Sequence, residues 1–121
     1  VPVTISSVAF DCHDALELAG FWAAVTGWDV WDGSDETFAA VGGPNRPADA
    51  PRLLFSQVPE DKTAKNRCHI DLHTEDLDAE VARLVDLGAT EGKEHEWGTA
   101  TWRVMQDPSG NEFCVVVASN V

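Results

Sequence analysis

Two stretches of this chain open and close a helix in the same way, and that recurrence constrains the fold more than any other feature. Asp14 can cap a helix start, with Glu17 three positions on as a capping box, and Gly27 supplies the stop. Between them Leu18, Phe21, Trp22 and Val25 follow the i, i+3, i+4, i+7 spacing of one apolar face. Asp76 lies close to the start of a second helix, where Leu77, Val81, Leu84 and Val85 share a face and Gly88 ends the run. Asp76 follows Asp14 by 62 residues, and the same offset lays Val8 and Phe10 on Ile70 and Leu72.

Strand signals fall around both helices in the same order. In the first half, β-rich runs occupy 4–11, 28–31, 37–41 and 52–58, separated by Gly, Pro, Asn and Asp clusters. In the second, Cys68 to His73 reads as a strand, followed after the helix by runs at about 90–94, 101–106 and 112–117. Each half therefore reads β-α-β-β-β, an internal repeat carried by element order and hydrophobic register rather than by identity. The expected fold class is α+β, a single domain over residues 1–121. Module 1 covers about 4–58, a polar connector 59–66, and module 2 about 67–118. One helix covers only one face of four strands, so the two modules are expected to form a curved mixed sheet around a concave cavity.

Composition narrows the partners. The 121 residues carry 21 Asp and Glu against 8 Lys and Arg, a net charge of −13. That field repels phosphate backbones and anionic lipid headgroups, so neither nucleic acid nor a membrane is an expected partner. No apolar run approaches the roughly 20 residues of a bilayer span, and the first residues lack a basic stretch followed by an apolar one. Cytoplasmic location is the default expectation. The three cysteines, Cys12, Cys68 and Cys114, are too few and too scattered for a disulfide framework or a zinc ribbon.

Three stretches resemble one family in the right order along nearly the whole chain: Phe21 to Trp28 (FWAAVTGW), Lys65 to Leu72 (KNRCHIDL) and Asp107 to Cys114 (DPSGNEFC). They resemble the glyoxalase-like branch of the glyoxalase/bleomycin resistance protein/dioxygenase, or vicinal oxygen chelate, superfamily. The resemblance implies paired β-α-β-β-β modules and a homodimer. The stretches themselves have structural reasons: Pro108 and Gly110 suit a type I turn, and Phe21, Trp22 and Gly27 suit helix packing and termination. Metal-dependent members place one ligand on each of four strands, usually His and Glu. Of those positions this chain keeps His69, has Cys114 where the last-strand Glu stands, and has Ser7 and the neighbourhood of Leu54 in module 1. Neither of the last two suits a divalent ion. No metal and no other cofactor is therefore expected; any ion would fall to His69 and Cys114.

Strand alternation supplies the candidate site. With Ile70 and Leu72 facing the helix, His69, Asp71 and His73 turn to the cavity. The offset adds Ser7 and Asp11 on the first strand, and Glu112 and Cys114 share a face of the last. Along a strand, His69 and Asp71 stand about 7 Å apart, which admits a general base with its orienting carboxylate, a charge-paired binding group, or a structural pair. His95, between Glu94 and Glu96, reads as a solvated edge. The chain is rich in Trp, and Trp31 and Trp102 are candidates to stack on a planar ligand. The leading expectation is a metal-independent protein enclosing an apolar or aromatic small molecule. One alternative is a lyase or isomerase using catalytic His69 and Asp71, or His69 as a metal ligand. Another is a non-catalytic dimeric interaction module.

Overall fold

The computed structural model describes residues 2–117. It divides into two compact units, Val1–Asp61 and Lys62–Val121, the boundary falling inside the expected connector. The first contains β1 (Ser7–Cys12), α1 (Ala15–Thr26), β2 (Asp29–Val30), β3 (Phe38–Gly42) and β4 (Arg52–Gln57). The second contains β5 (Asp71–Thr74), α2 (Leu77–Leu87), β6 (Thr90–Trp97), β7 (Ala100–Gln106) and β8 (Glu112–Val117). The chain thus runs β-α-β-β-β twice. Each unit closes a four-stranded mixed sheet in equivalent order, β1-β4-β3-β2 and β5-β8-β7-β6, with its first and last strands parallel.

The two helices begin and end as their sequences require. The Asp14 carboxylate accepts from the Glu17 N–H and that of Asp76 from the Ala79 N–H, each satisfying an amide left free in the first turn. Gly27 (φ 75°) and Gly88 (φ 118°) take the left-handed conformation that ends the helix. In the first unit α1 buries Leu18, Phe21 and Trp22. Phe10 stacks between Trp22 (6.0 Å) and Phe55 (5.7 Å), which welds α1 to β1 and β4. In the second unit Leu77, Val81 and Leu84 are buried, as are Met105, Phe113 and Val115. Val85, expected on the same helical face, is 41% exposed, because its position on the face lies at the margin of the sheet contact.

Three strands differ from the sequence reading, the first by running Ser7–Cys12 where 4–11 is expected. The strand expected over Cys68 to His73 is Asp71–Thr74: residues 67–68 bend, and the first rung of the ladder is the Cys114 N–H donating to the Ile70 carbonyl. The bend follows from Asn66, whose N–H donates to a Glu112 carboxylate oxygen (3.0 Å) and pins the connector before the strand begins. The strand expected over 90–94 continues to Trp97, because Gly98 (φ 63°) makes a tight turn and lets Trp97 pair with Ala100. The Asp107–Gly110 turn is held by the Asp107 carboxylate, which accepts from the Ser109 and Asn111 N–H groups. No helix among the described residues is long and apolar enough to cross a membrane.

Candidate functional site

Alternation along the second sheet gives it two unlike faces. Phe113 and Val115 of β8 are buried on the helix side, and Cys114 and Val116 turn the other way. On that second face lies a cavity of about 410 Å³. β7 contributes Ala100, Trp102 and Val104 to its wall, and β6 contributes His95 and Trp97. The His95 imidazole stacks on the Trp102 indole at 5.6 Å and 24°, the two residues being direct cross-strand partners. This aromatic wall continues to Trp97, 72% exposed at the hairpin.

The polar side of the cavity is built by β5, β8 and the segment leading into β5. Parallel pairing sets Asp71 beside Cys114. His69 precedes the ladder, so strand rise does not fix its spacing, and its Nε2 reaches 3.3 Å from Asp71 Oδ1. The two side chains thus come into direct contact, although backbone positions two apart on a strand are about 7 Å apart. Burial pushes the Cys114 thiol up to about 11, the neighbouring Asp71 carboxylate adds to the rise, and Lys65 partly opposes it. Glu112 is spoken for: it pairs with Lys62 Nζ (2.7 Å) and accepts from the Asn66 N–H (3.0 Å). Its burial alone would raise its pKa, but these partners outweigh that and hold it below the usual carboxylate value. Asp71 touches His69, yet its side chain remains 61% exposed toward solvent.

Of the candidate residues, the structure brings His69, Asp71, Trp102, Glu112 and Cys114 into this one cavity. It does not bring the others. Exposed His73 lies further along β5, outside the lining. Ser7 and Asp11 lie on β1 of the first unit, and Trp31 lines a separate cavity there. The sequence pattern does not single out Lys65, and His95, expected on a solvated edge, instead lines the cavity against Trp102 because β6 continues past residue 94. Gly98 is the signal that finds it: with the strand extended to Trp97, alternation puts His95 and Trp97 on one face.

His69, Asp71 and Cys114 also pass a test as a donor set. Their ligand atoms lie within 4.8 Å of one another, against roughly 3.5 Å between ligands around a tetrahedral zinc, so closing by about 1 Å would let them hold one ion. Nitrogen, oxygen and sulfur donors with a fourth position open suit zinc, and binding would have to release the Cys114 proton.

A family model described as glyoxalase-like domain matches residues 7–116. The chain belongs to the glyoxalase-like domain family. Solved structures show the same fold at low identity. A glyoxalase/bleomycin resistance protein/dioxygenase family enzyme from Burkholderia phytofirmans PsJN superposes with a TM-score of 0.77 at 16% identity, covering 97% of this chain and 100% of its own. Lactoylglutathione lyase from Agrobacterium tumefaciens gives 0.66 at 17%, with 98% and 96% covered. A bleomycin-binding protein from Streptomyces verticillus, solved with copper(II)-bleomycin, gives 0.60 at 18%, with 100% and 99% covered. A comparison with curated proteins finds no match. The paired β-α-β-β-β modules of this chain are the frame it shares with these structures.

Proposed function

We propose that this family member is a metal-independent small-molecule-binding protein whose second unit encloses a planar apolar or aromatic ligand bearing a polar or cationic group. One observation carries the reading: an aromatic wall of His95, Trp97 and Trp102 shares a cavity of about 410 Å³ with the Asp71 carboxylate, which is 61% exposed and touches His69. Indole and imidazole faces stack on planar groups, indole faces attract cations, and Asp71 supplies the opposite charge. The similar Streptomyces verticillus protein binds a small molecule, bleomycin, on this fold. The homodimer and cytoplasmic location expected from the sequence belong to the same proposal.

Titration with cationic planar aromatics, followed by Trp fluorescence, tests it. Saturable quenching is expected, weakened about tenfold by Trp102→Ala. Asp71→Asn should weaken the cationic compounds and spare their neutral isosteres. If no compound class quenches saturably, the reading fails.

The 3.3 Å contact between His69 and Asp71 favours a second reading, a lyase or isomerase. The similar Agrobacterium tumefaciens protein is a lyase. Asp71 would orient the imidazole through Nε2, and His69 would take or give a proton at Nδ1. A divalent ion on His69, Asp71 and Cys114 would supply Lewis-acid polarisation. Metal content of the purified protein and of His69→Ala separates the two: stoichiometric metal lost in the variant favours the second reading, and its absence after incubation with zinc, nickel, manganese and iron favours the first.

A further inference from the structure

Charge is unevenly placed around the second-unit cavity. Asp71 stands on β5 and Glu112 and Cys114 on β8, while β7 and β6, next across the sheet, supply Trp102, His95 and Trp97. One side of the lining is therefore polar and the other aromatic. Lys65, on the segment leading into β5, is the single Lys or Arg among the described lining residues.

The charges on the polar side are not equivalent. Glu112 is matched by Lys62 at 2.7 Å and offers a ligand little net charge. Asp71 meets His69 through Oδ1, and a carboxylate has acceptor sites enough for a further donor. Lys65 is exposed and forms no ion pair among the described residues. Both Asp71 and Lys65 act on the Cys114 thiol, Asp71 raising its pKa and Lys65 opposing the rise, so both stand close to one sulfur. A ligand at Cys114 thus meets one negative and one positive group. A purely cationic ligand gains Asp71 and is repelled by Lys65, and a purely anionic one meets the reverse; a ligand with both charges gains from both.

Sheet register sets how far such a head stands from the aromatic wall. Asp71 pairs with Cys114 of β8, and Trp102 of β7 pairs with Val116 of β8. Asp71 and Trp102 are therefore two strands apart, roughly 10 Å across the sheet, over a floor of Cys114, Val104 and Val116. The carboxylate and the indole each take up part of that distance. The remaining span suits a charged head joined to its ring by a single methylene, as in an aromatic α-amino acid.

We propose, resting on the small-molecule-binding reading above, that Lys65 determines the specificity of this cavity and that the ligand is an aromatic zwitterion of the α-amino acid type. Its ammonium meets Asp71, its carboxylate meets Lys65, and its ring lies on the faces of Trp102 and His95.

NMR titration of the full chain, reading the Trp indole N–H signals, tests this with L-phenylalanine, its methyl ester, phenethylamine and 3-phenylpropionate. The ester and the amine keep the ammonium without the carboxylate, and 3-phenylpropionate keeps the carboxylate without the ammonium. Saturable shifts at Trp102 are expected, with phenylalanine binding about fivefold or more tightly than each of the others. Lys65→Gln should weaken phenylalanine about fivefold and tighten phenethylamine, opposite effects that a loss of folding cannot imitate. Arg83→Gln, which removes the same charge from α2 on the other side of the sheet, should leave the ratio of the two affinities as it is. If phenylalanine binds no more tightly than phenethylamine, or if Lys65→Gln shifts the ratio no more than Arg83→Gln does, the role of Lys65 is overturned and the small-molecule reading stands. If none of the four probes shifts an indole signal while a cationic planar aromatic does, the zwitterion alone is overturned; if that compound fails too, both readings fall.

Discussion

Cys114 and Cys68 are thiols of the same chain in opposite circumstances. Cys114 is buried beside Asp71, and its pKa of about 11 leaves roughly one thiolate in a thousand at pH 8. Cys68 stands exposed on the bend before β5. Iodoacetamide at about pH 8 should therefore alkylate Cys68 first, with Cys114 slower by roughly a hundredfold or more, as peptide mass spectrometry over time would show. Asp71→Asn removes one cause of the rise, and Cys114 alkylation should speed up; an unchanged rate would mean that burial alone protects the thiol. His69 teaches a related point. Its imidazole reaches Asp71 because it lies just outside the ladder, where the backbone is free to bring the two side chains together.

At the scale of elements, β6 and the connector show what holds the site's frame in place. The β6–β7 register shifts between Glu91 and Glu94, and Arg103 braces the irregularity by pairing with both (2.6 and 2.9 Å). Gly92 sits in the shift, where a Cβ would stand 2.8 Å from the Val104 carbonyl oxygen. Gly92→Ala should cost about 1–3 kcal/mol in denaturant unfolding. Gly20→Ala, in the interior of α1 with nothing within 4 Å of the added carbon, should instead gain roughly 0.5–1 kcal/mol. The connector is tied to β8 through Glu112, with Lys62 and the Asn66 N–H as partners. Because the folded pKa of Glu112 lies below its unfolded value near 4.5, this stabilisation is complete above that value and is lost as pH falls through the lowered folded one. Glu112→Gln should cost about 1–2 kcal/mol at neutral pH and flatten the acid limb of the stability curve; an acid limb identical to the parent's would remove Glu112 from the account.

For the molecule as a whole, charge is the dominant fact. A net charge of −13 on 121 residues stores repulsion that the folded state bears more heavily than the expanded chain. Raising salt from about 20 mM to about 0.5 M at neutral pH should raise the thermal midpoint, since screening shortens the range of that repulsion below the distances between most surface carboxylates. A midpoint that falls instead would put local pairs such as Arg103 with Glu91 and Glu94 above the net repulsion.

Much of the frame is written in the amino-acid sequence itself. Asp14, Gly27, Asp76 and Gly88 mark the helices by local hydrogen bonding and backbone conformation, and apolar spacing assigns their buried faces; both signals act over a few residues and follow one another in order along the chain. Strand alternation likewise places Asp71, Cys114 and Glu112 on one face. The His95–Trp102 stack and the short His69–Asp71 contact depend on where one strand continues, where another begins and which strands lie side by side. Those are long-range pairings, settled by the competition among all possible registers for one buried face, and no local pattern records the winner.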